Sequence, residues 1–396
     1  MPGKGRSVAA LALAAVFCMS LWFVSAAILP EIVAEAGLGP GRAAALSSAV
    51  QIGFVLGALG LAIHGTADLY DPRTVIAASA FTAAAANLAL LVTPVGGPAQ
   101  VALRALTGAG LAGVYPVGMK VLVGWGTRDR GTLVGLFVGA ITVGNALPHL
   151  FAFLGGADWR ATVVATSALA VLGGVCGLVA RLGPYHARAA RFDPGALRLA
   201  WRDRRIRLAY LGYLGHMWEL YAFWAWIGAA LAVSFADRLG PAATGSARLL
   251  TFATIALGGL LCLPAGRLAD RVGKARVALW AMAASGSAGL LTALAFGGPV
   301  WLVAPLVLVW GAAVIPDSAQ FSALVADAAP QERAGSLLAL QTALGFSLTF
   351  FAVQAVPSVV AAVGWPWTLA IMALGPTVGI AAMRRLIRVS SSQSEY

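Results

Sequence analysis

ATVVATSALAVLGGVCGLVA, residues 161–180, is a stretch of 20 residues without a charged side chain. A helix of that length rises about 30 Å, which is the thickness of the hydrocarbon layer of a bilayer. The stretch therefore predicts a membrane-spanning helix. The whole chain has the same character, because 60% of its 396 residues are apolar and only 11% are charged. Soluble proteins carry about a quarter charged residues, so a soluble enzyme is excluded.

Eleven similar apolar segments occur elsewhere in the chain, five before this stretch and six after it. Clusters of glycine and proline separate them, as at Gly96-Gly97-Pro98 and Gly297-Gly298-Pro299. The sequence therefore predicts an all-α membrane protein with twelve transmembrane helices. The predicted spans, numbered 1 to 12, are residues 8–34, 43–66, 74–93, 98–124, 131–154, 161–180, 208–235, 249–266, 277–296, 299–325, 334–361 and 365–383.

The cations lie mainly on one side of the predicted membrane. Of the 27 Lys and Arg residues, 21 fall on the side of the amino terminus, and Arg104 and Lys120 fall inside span 4. The four on the other side are Arg42, Arg160, Arg238 and Arg248. This bias predicts a multi-pass protein of the cytoplasmic (inner) membrane with both termini in the cytoplasm. It also explains the net charge of +12 without a nucleic-acid partner. The first apolar run is too long for a signal peptide, so we expect a retained helix.

A repeat divides the spans six and six. An arginine-rich linker, residues 181–207, separates a predicted amino-terminal bundle, residues 1–180, from a carboxy-terminal bundle, residues 208–396. A shift of 200 residues superposes span 4 on span 10 at Ala112, Val114 and Pro116 with Ala312, Val314 and Pro316, and sets Lys120 opposite Gln320. Two pseudo-symmetric six-helix bundles follow. In such repeats the binding site lies between the halves, which rock to expose it alternately to each side.

A loop motif connects the chain with a known family. Residues 266–276, GRLADRVGKAR, closely resemble the motif between helices 8 and 9 of the major facilitator superfamily. The equivalent loop after span 2 is degenerate, with His64 in place of the first glycine and Asp71-Pro72-Arg73 in place of the usual glycine and basic residues. Leu103-Arg104 followed by Gly108 resembles the helix 4 motif of that family. The resemblance covers the whole chain and implies a secondary active transporter.

The loop aspartates also have a mechanical interpretation. Asp68 and Asp270 fall close to helix ends, where a carboxylate favours a neighbouring helix amino terminus and pairs with loop arginines. The predicted partners are Arg73, Arg271 and Arg276. We expect such pairs to gate the cytoplasmic side. The arginines also serve as topology signals.

Ionisable residues inside the spans are few, and a charge at mid-membrane costs roughly 2.5–3.5 kcal/mol on insertion scales. Lys120 in span 4, with Gln320 and Asp317 in span 10, predicts a cation and an acid facing one pathway. Lys120 is also placed to reach the membrane surface, and Asp317 to cap a kink. In span 7, His216 and Glu219 share a helix face. We expect Glu219, His216 and Asp317 to couple transport to protons, although a structural hydrogen bond between His216 and Glu219 explains their spacing equally well.

Other polar residues of the spans are candidates for binding substrate. The predicted set is Arg104, Tyr115, Gln51, Asn145, His149, Tyr221 and Gln341, in addition to Lys120 and Gln320. Several of them are equally suited to join helices by hydrogen bonds. Arg104 points away from Lys120 on an ideal helix and is also compatible with a packing role. Glu31, at the outer mouth, is expected to be solvated.

The sequence lacks the patterns of other chemistries. Cys18, Cys176 and Cys262 have no paired spacing, and no phosphate loop or metal-ligand cluster is present. We therefore predict no cofactor and no metal. The leading hypothesis is a monomeric, proton-coupled transporter of a small organic or inorganic anion, whose partners are that small molecule, protons and the lipid bilayer. The alternatives are a proton-coupled exporter of lipophilic or cationic compounds and a non-transporting membrane sensor or scaffold.

Overall fold

The computed structural model describes residues 3–126, 129–156, 158–186, 193 and 195–393. The side chains of Ala67, Asp68, Gln331 and residues 390–393 lie outside this description. All regular secondary structure in the described residues is helical. The helices are α1 (Lys4–Met19), α2 (Val24–Ala27), α3 (Leu29–Ala36), α4 (Pro40–His64), α5 (Thr66–Leu69), α6 (Pro72–Leu88), α7 (Pro98–Val123), α8 (Arg130–Leu154), α9 (Trp159–Val179), α10 (Gly195–Arg202), α11 (Arg204–Leu239), α12 (Ala243–Val272), α13 (Lys274–Ala295), α14 (Val300–Val314), α15 (Ser318–Ala328), α16 (Gln331–Met372) and α17 (Leu374–Gln393).

The helices account for twelve membrane crossings, so the predicted fold class is confirmed. Nine helical stretches of the described chain are long and apolar enough to cross a bilayer. Two of these, Arg204–Val272 with 69 residues and Glu332–Val389 with 58, are each long enough for two crossings. The second of them turns at Gly364, which has a positive φ of 79°. The interrupted series α1 to α3 supplies the remaining crossing.

The bundle has two halves and two faces. The N-half comprises α1 to α9 and the C-half comprises α11 to α17. The basal face is the end at which α1 begins, and the distal face is the opposite end. The short helix α10, which follows the N-half in the chain, packs its buried Ala196 and Ala200 against α11 and α16 of the C-half.

Three spans differ in detail from the sequence prediction. Span 1 is not one helix, because the chain leaves the helical path between Met19 and Val24. Span 10 breaks between α14 and α15, where Pro316 lacks the N–H needed to continue the helix. Its repeat partner Pro116 stays inside the continuous helix α7. Span 8 begins at Ala243, so Arg248 lies within α12 and is buried rather than in an outer loop.

Glycines bring the two halves together along α8 and α12. A Cβ atom added to Gly139 would lie 2.6 Å from the carbonyl oxygen of Gly259, which is closer than the Cβ atoms of proteins approach other atoms. One turn nearer the basal face, a Cβ on Gly135 would lie 3.5 Å from the carbonyl oxygen of Cys262. Small residues therefore allow the two backbones to approach closely, as is usual between membrane helices.

Candidate functional site

Aromatic rings from both halves meet in the interior of the bundle. Trp22 and Phe54 of the N-half lie against Phe346 of the C-half, with ring centroids 5.5 and 4.5 Å away. The Tyr221 ring lies 5.6 Å from Trp22. These distances are typical of packed aromatic pairs. The aromatic junction, as we call this group, consists of Trp22, Phe23, Phe54, Tyr115, Tyr221, Trp224 and Phe346.

Several buried donors at or near the junction have no hydrogen-bond partner in the described part of the chain. They include the indole Nε1 atoms of Trp22 and Trp224 and the side-chain amides of Asn145 and Gln341. A buried polar group without a partner costs about 1–3 kcal/mol. Residues of this kind are rare in native interiors unless a ligand or water completes them. The junction therefore offers hydrogen-bond donors to a molecule that carries acceptors.

Arg104, a predicted substrate ligand, lies inside the N-half and is completely buried. Its Nη2 atom donates to the carbonyl oxygens of Leu21 and Trp22 at 2.9 and 2.8 Å, and Nη1 donates to Asn87 at 3.1 Å. These carbonyls belong to the interruption between α1 and α2, where no regular helix uses them. The contacts of Arg104 thus hold the interrupted segment that carries Trp22 to the junction.

Glu219 on α11 is buried within the C-half. Its two carboxylate oxygens accept hydrogen bonds from different helices, one from Nε1 of Trp310 on α14 at 2.7 Å and one from Oγ of Ser285 on α13 at 2.9 Å. The carboxylate is 1% exposed and has no cation among these partners. A charged carboxylate in such surroundings is costly unless it is paired, so this position suits a group that takes up and releases a proton.

His216 contacts an acid other than the one its spacing indicated. Its Nδ1 atom lies 2.9 Å from Oδ1 of Asp317, at the break between α14 and α15. Both side chains are almost fully buried, and the Phe321 ring covers the imidazole at a centroid distance of 5.7 Å. The structure therefore brings the three predicted proton-coupling residues into the interior of one half. Asp317 contacts His216 there, whereas the prediction directed it toward the pathway shared with Lys120.

The remaining predicted substrate residues occupy different positions. Tyr115 belongs to the junction through its ring contact with Phe54 at 6.1 Å, and Lys120 lies half-buried near the basal end of α7. Gln51 is buried and, with its amide in the hydrogen-bonded orientation, donates to the carbonyl oxygens of Ser47 and Ser48 at 2.8 and 3.0 Å. Gln320 on α15 is also buried.

His149 on α8 is buried near α11 and α12 toward the distal face. A Cβ atom added to Gly228 would lie 3.9 Å from its Cε1 atom and 3.3 Å from Oγ1 of Thr251. The Nε2 atom of His149 has no partner among the described residues. His149 and Asn145, one turn apart, therefore present polar atoms to the same region between the halves.

The predicted gating residues lie at the basal face. Arg73 pairs with Asp71 at 2.6 Å. Arg276 donates to the carbonyl oxygen of Val272 at 3.3 Å, and Arg271 is exposed. The Asp270 carboxylate faces the first turn of α8, where a Cβ on Gly131 would lie 3.9 Å from Oδ1. The Asp68 side chain lies outside the described residues.

Sequence reasoning missed the interruption of span 1 and, with it, Trp22 and Phe23. It also assigned Arg248 to an outer loop. It predicted that Glu31 is solvated, whereas the Glu31 side chain is only 15% exposed and binds Arg248. The segment from Ser20 to Phe23 contains neither glycine nor proline, so no local signal marks the interruption. Arg104 is a sequence signal for the interruption, because a buried guanidinium needs hydrogen-bond acceptors close to it.

A helical membrane protein of twelve crossings, with two halves that meet at polar and aromatic groups, has the architecture of a transporter. The family model of the Major Facilitator Superfamily matches residues 11–241, which is more than half of the chain. The protein belongs to the Major Facilitator Superfamily, and is a secondary transporter of the membrane rather than an enzyme.

Solved structures share this fold at low sequence identity. A crystal structure of a D-xylose-proton symporter is 15% identical, with a TM-score of 0.75 and 97% of each chain covered. The nucleoside transporter NupG is 16% identical, with a TM-score of 0.72, 96% of this chain and 99% of that chain covered. The third structure is the xylose transporter XylE from E. coli in a partially occluded inward-open conformation. It is 13% identical, with a TM-score of 0.74, and the match covers 97% of this chain and 99% of that chain. No curated protein sequence matches the chain.

Proposed function

We propose that the protein moves a small organic anion across the cytoplasmic membrane by alternating access, coupled to protons. The observation that carries this proposal is the dual role of α11. Glu219 faces α13 and α14 inside the C-half, whereas Tyr221, two residues later and about 200° around the helix, lies in the aromatic junction. A change in protonation on one face of α11 therefore acts on a helix that also forms the seam between the halves.

The proton site in this proposal consists of Glu219, His216 and Asp317. Glu219 changes charge among neutral donors, and the His216–Asp317 contact at 2.9 Å places an imidazole beside a second buried carboxylate. Protonation removes a buried negative charge from the C-half. This change favours the rearrangement of α11 relative to α13, α14 and the interrupted span 10.

The substrate site in this proposal is the aromatic junction with its polar neighbours. Indole N–H groups of Trp22 and Trp224 and the Asn145 amide suit the oxygens of a carboxylate, and the rings suit an apolar body. Lys120, half-buried toward the basal face, supplies a cation further along α7. Tyr115, His149, Gln341 and Tyr221 complete the proposed lining. Gln51, Gln320 and Arg104 are proposed to support it from neighbouring positions.

The proposed orientation places the basal face in the cytoplasm. The basal loops contain most of the chain's cations, in agreement with the positive-inside rule. Residues 1–180 and 208–396 then act as the two moving bodies of a monomer, with the linker 181–207 on the cytoplasmic side. Asp270, with its carboxylate at the amino-terminal end of α8, is the proposed cytoplasmic gate residue; Asp68, Arg73, Arg271 and Arg276 support the same face.

A second candidate function has an observation in its favour. Buried acids and an aromatic cluster also suit a lipophilic cation, which would be exported in exchange for protons. A non-transporting sensor or scaffold is the third alternative. It predicts binding to the junction without net movement of solute.

Purified protein in liposomes tests these alternatives. We expect an imposed pH gradient to drive accumulation of radiolabelled benzoate, but not of its neutral analogue benzamide or of the cation tetraphenylphosphonium. E219Q keeps one acceptor oxygen for Trp310 and has an amide N–H that can donate to the Ser285 hydroxyl, but it cannot release a proton. It should therefore abolish gradient-driven accumulation and retain benzoate exchange. E332Q, which alters an exposed carboxylate at the start of α16, is the matched control. Accumulation that E219Q leaves intact contradicts the proposed proton site.

A further inference from the structure

An arginine of the C-half reaches into the N-half at the distal face. Arg248 on α12 binds Glu31 on α3, with Nη2 of Arg248 2.5 Å from Oε1 of Glu31. The same Nη2 atom donates to the carbonyl oxygen of Ala27 at 3.2 Å, and Nη1 donates to those of Ala152 and Gly156, both at 3.1 Å. One guanidinium thereby joins α12 to the end of span 1 and to the end of α8. We call this arrangement the distal latch.

The distal latch is buried but only partly satisfied. The side chains of Arg248 and Glu31 are 8% and 15% exposed. Nε of Arg248 and Oε2 of Glu31 have no partner within the described chain. Guanidinium and carboxylate groups normally pair through two parallel hydrogen bonds, and here each retains an unused atom. Each group of the pair therefore keeps an atom with which it can bind a further partner.

The surroundings of the latch lead toward the aromatic junction. His149 lies one turn from Ala152 on α8, whose carbonyl oxygen accepts a hydrogen bond from Arg248. A further turn along α8, Asn145 has an amide without a partner among the described residues. Gly228 leaves room between α11 and His149. A series of polar groups thus connects Arg248 with Trp224, which lies one turn from Gly228 on α11.

We propose that Arg248 is the first group to bind a substrate anion arriving at the distal face, and that Glu31 holds its place until the anion displaces it. Two carboxylates cannot occupy the same guanidinium edge, so an incoming carboxylate competes with Glu31. Its binding releases α3 from α12. A ligand shifts a conformational equilibrium only by binding one state more tightly than the other, and this competition provides that difference. The inference rests on the proposed function for the charge of the substrate.

Two variants separate an anion-binding latch from a purely structural one. E31Q and R248Q both weaken the latch, so both should move the distal ends of the two halves apart. The distance is measured between spin labels attached at Val92 and Leu294, near the distal ends of α6 and α13, in a protein whose native cysteines have been replaced. Their effects on benzoate should be opposite. E31Q removes the internal competitor and tightens binding, whereas R248Q removes a charge-assisted hydrogen-bond donor and should weaken binding at least about tenfold. Benzamide binding should not distinguish the two variants.

A matched control comes from the same short helix. Glu35 on α3 pairs with Arg160 on α9 at 2.7 Å, an exposed ion pair within the N-half. E35Q should change neither the label distance nor benzoate affinity. R248K retains the charge but not the planar fork, so it should bind benzoate with intermediate affinity. This variant decides the question if R248Q does not fold.

The possible failures are distinguishable. If E31Q and R248Q tighten benzoate binding equally, the latch acts only through conformation and the anion site is overturned. If E31Q leaves the label distance unchanged, the latch itself is overturned. Absence of benzoate binding to the wild type also overturns the anion site. A third result separates this inference from the proposed proton coupling. If a pH gradient does not drive benzoate accumulation, but E31Q and R248Q change the affinity for benzoate in opposite directions, the proton coupling is overturned and this inference stands.

Discussion

Nη2 of Arg104 donates a hydrogen bond of 2.8 Å to the carbonyl oxygen of Trp22, whose indole ring lies 5.6 Å from Tyr221 across the seam between the halves. The same guanidinium thus stabilises a chain interruption and fixes a ring that contacts the other half. Arg104 and Asn87 lie inside the N-half, so the position of Trp22 in the junction depends on contacts within that half.

Replacement of Arg104 should destabilise the protein and impair transport together. R104M leaves two carbonyl oxygens and Asn87 without their donor, and each buried group without a partner costs about 1–3 kcal/mol. We expect a lower unfolding temperature in detergent and loss of benzoate exchange. R104K should recover part of the stability because an ammonium still donates. R42M, at an exposed position of α4, should behave as wild type. A stable R104M that has lost only substrate affinity would indicate direct substrate contact instead.

Close packing of α8 on α12 gives a second prediction. G139A places a Cβ atom 2.6 Å from the carbonyl oxygen of Gly259, so the helices must separate. Overpacking of this kind costs about 1–3 kcal/mol, and we expect a lower unfolding temperature and slower transport. G60A is the control, because a Cβ atom on Gly60 of α4 meets nothing within 4 Å. Alanine has the higher helix propensity, so G60A should be neutral or slightly stabilising. Equal effects of the two substitutions would argue against the close approach.

Local pattern was sufficient to predict the helices and insufficient to predict their partners. The length of each apolar run and the glycine and proline clusters gave the twelve crossings, because the bilayer sets helix length. A helical wheel placed His216 and Glu219 on one face correctly, yet it could not show that Asp317 would contact the imidazole and Trp310 the carboxylate. Those contacts depend on how α13, α14 and α15 pack on α11.

Two residues illustrate why the seam was harder to predict than the bundles. Arg248 was counted with the outer cations because it lies near the end of an apolar run, and only the tertiary structure shows four acceptors around it. Trp22 lies in a segment that reads as continuous helix. Its departure from the helix is stabilised by Arg104, which is 82 positions further along the chain. Long-range contacts of this kind leave no periodic signal.

Asp71 at the basal face should make stability depend on pH. Hydrogen bonds from Arg73 lower the pKa of Asp71 below its ordinary value of 3.8. A lowered folded-state pKa stabilises the protein above the unfolded value, and this contribution is lost as pH falls through the folded value. D71A also removes the N-cap of α6 and should cost about 1 kcal/mol at neutral pH. The difference in unfolding temperature from wild type should shrink below pH 3.8. D71N keeps a capping oxygen and should be less destabilising.

Lys120 distinguishes the two transport hypotheses. K120A removes a half-buried cation from α7, so benzoate transport should fall by about tenfold or more if the lysine contacts the anion. Under the alternative hypothesis of a cation exporter, export of tetraphenylphosphonium should persist or improve because a repulsive charge has been removed. The measurement is the initial rate for each probe in liposomes. R42A, which removes an exposed cation from α4, controls for the change in net charge. Unchanged benzoate transport in K120A would place Lys120 outside the pathway.

Two tryptophans on neighbouring helices should respond oppositely to replacement by phenylalanine. Trp224 lies in the junction with an N–H that has no partner among the described residues, whereas the N–H of Trp310 binds Glu219 at 2.7 Å. W224F removes an unsatisfied donor, so we expect unchanged or higher unfolding temperature and weaker benzoate binding. W310F deprives the Glu219 carboxylate of a donor, so it should lower the unfolding temperature. Its affinity for benzoate should remain close to that of the wild type. Thermal unfolding and benzoate titration of both variants provide the comparison. If W224F binds benzoate as wild type does, the indole N–H is not part of the substrate site, and the aromatic junction contributes packing alone.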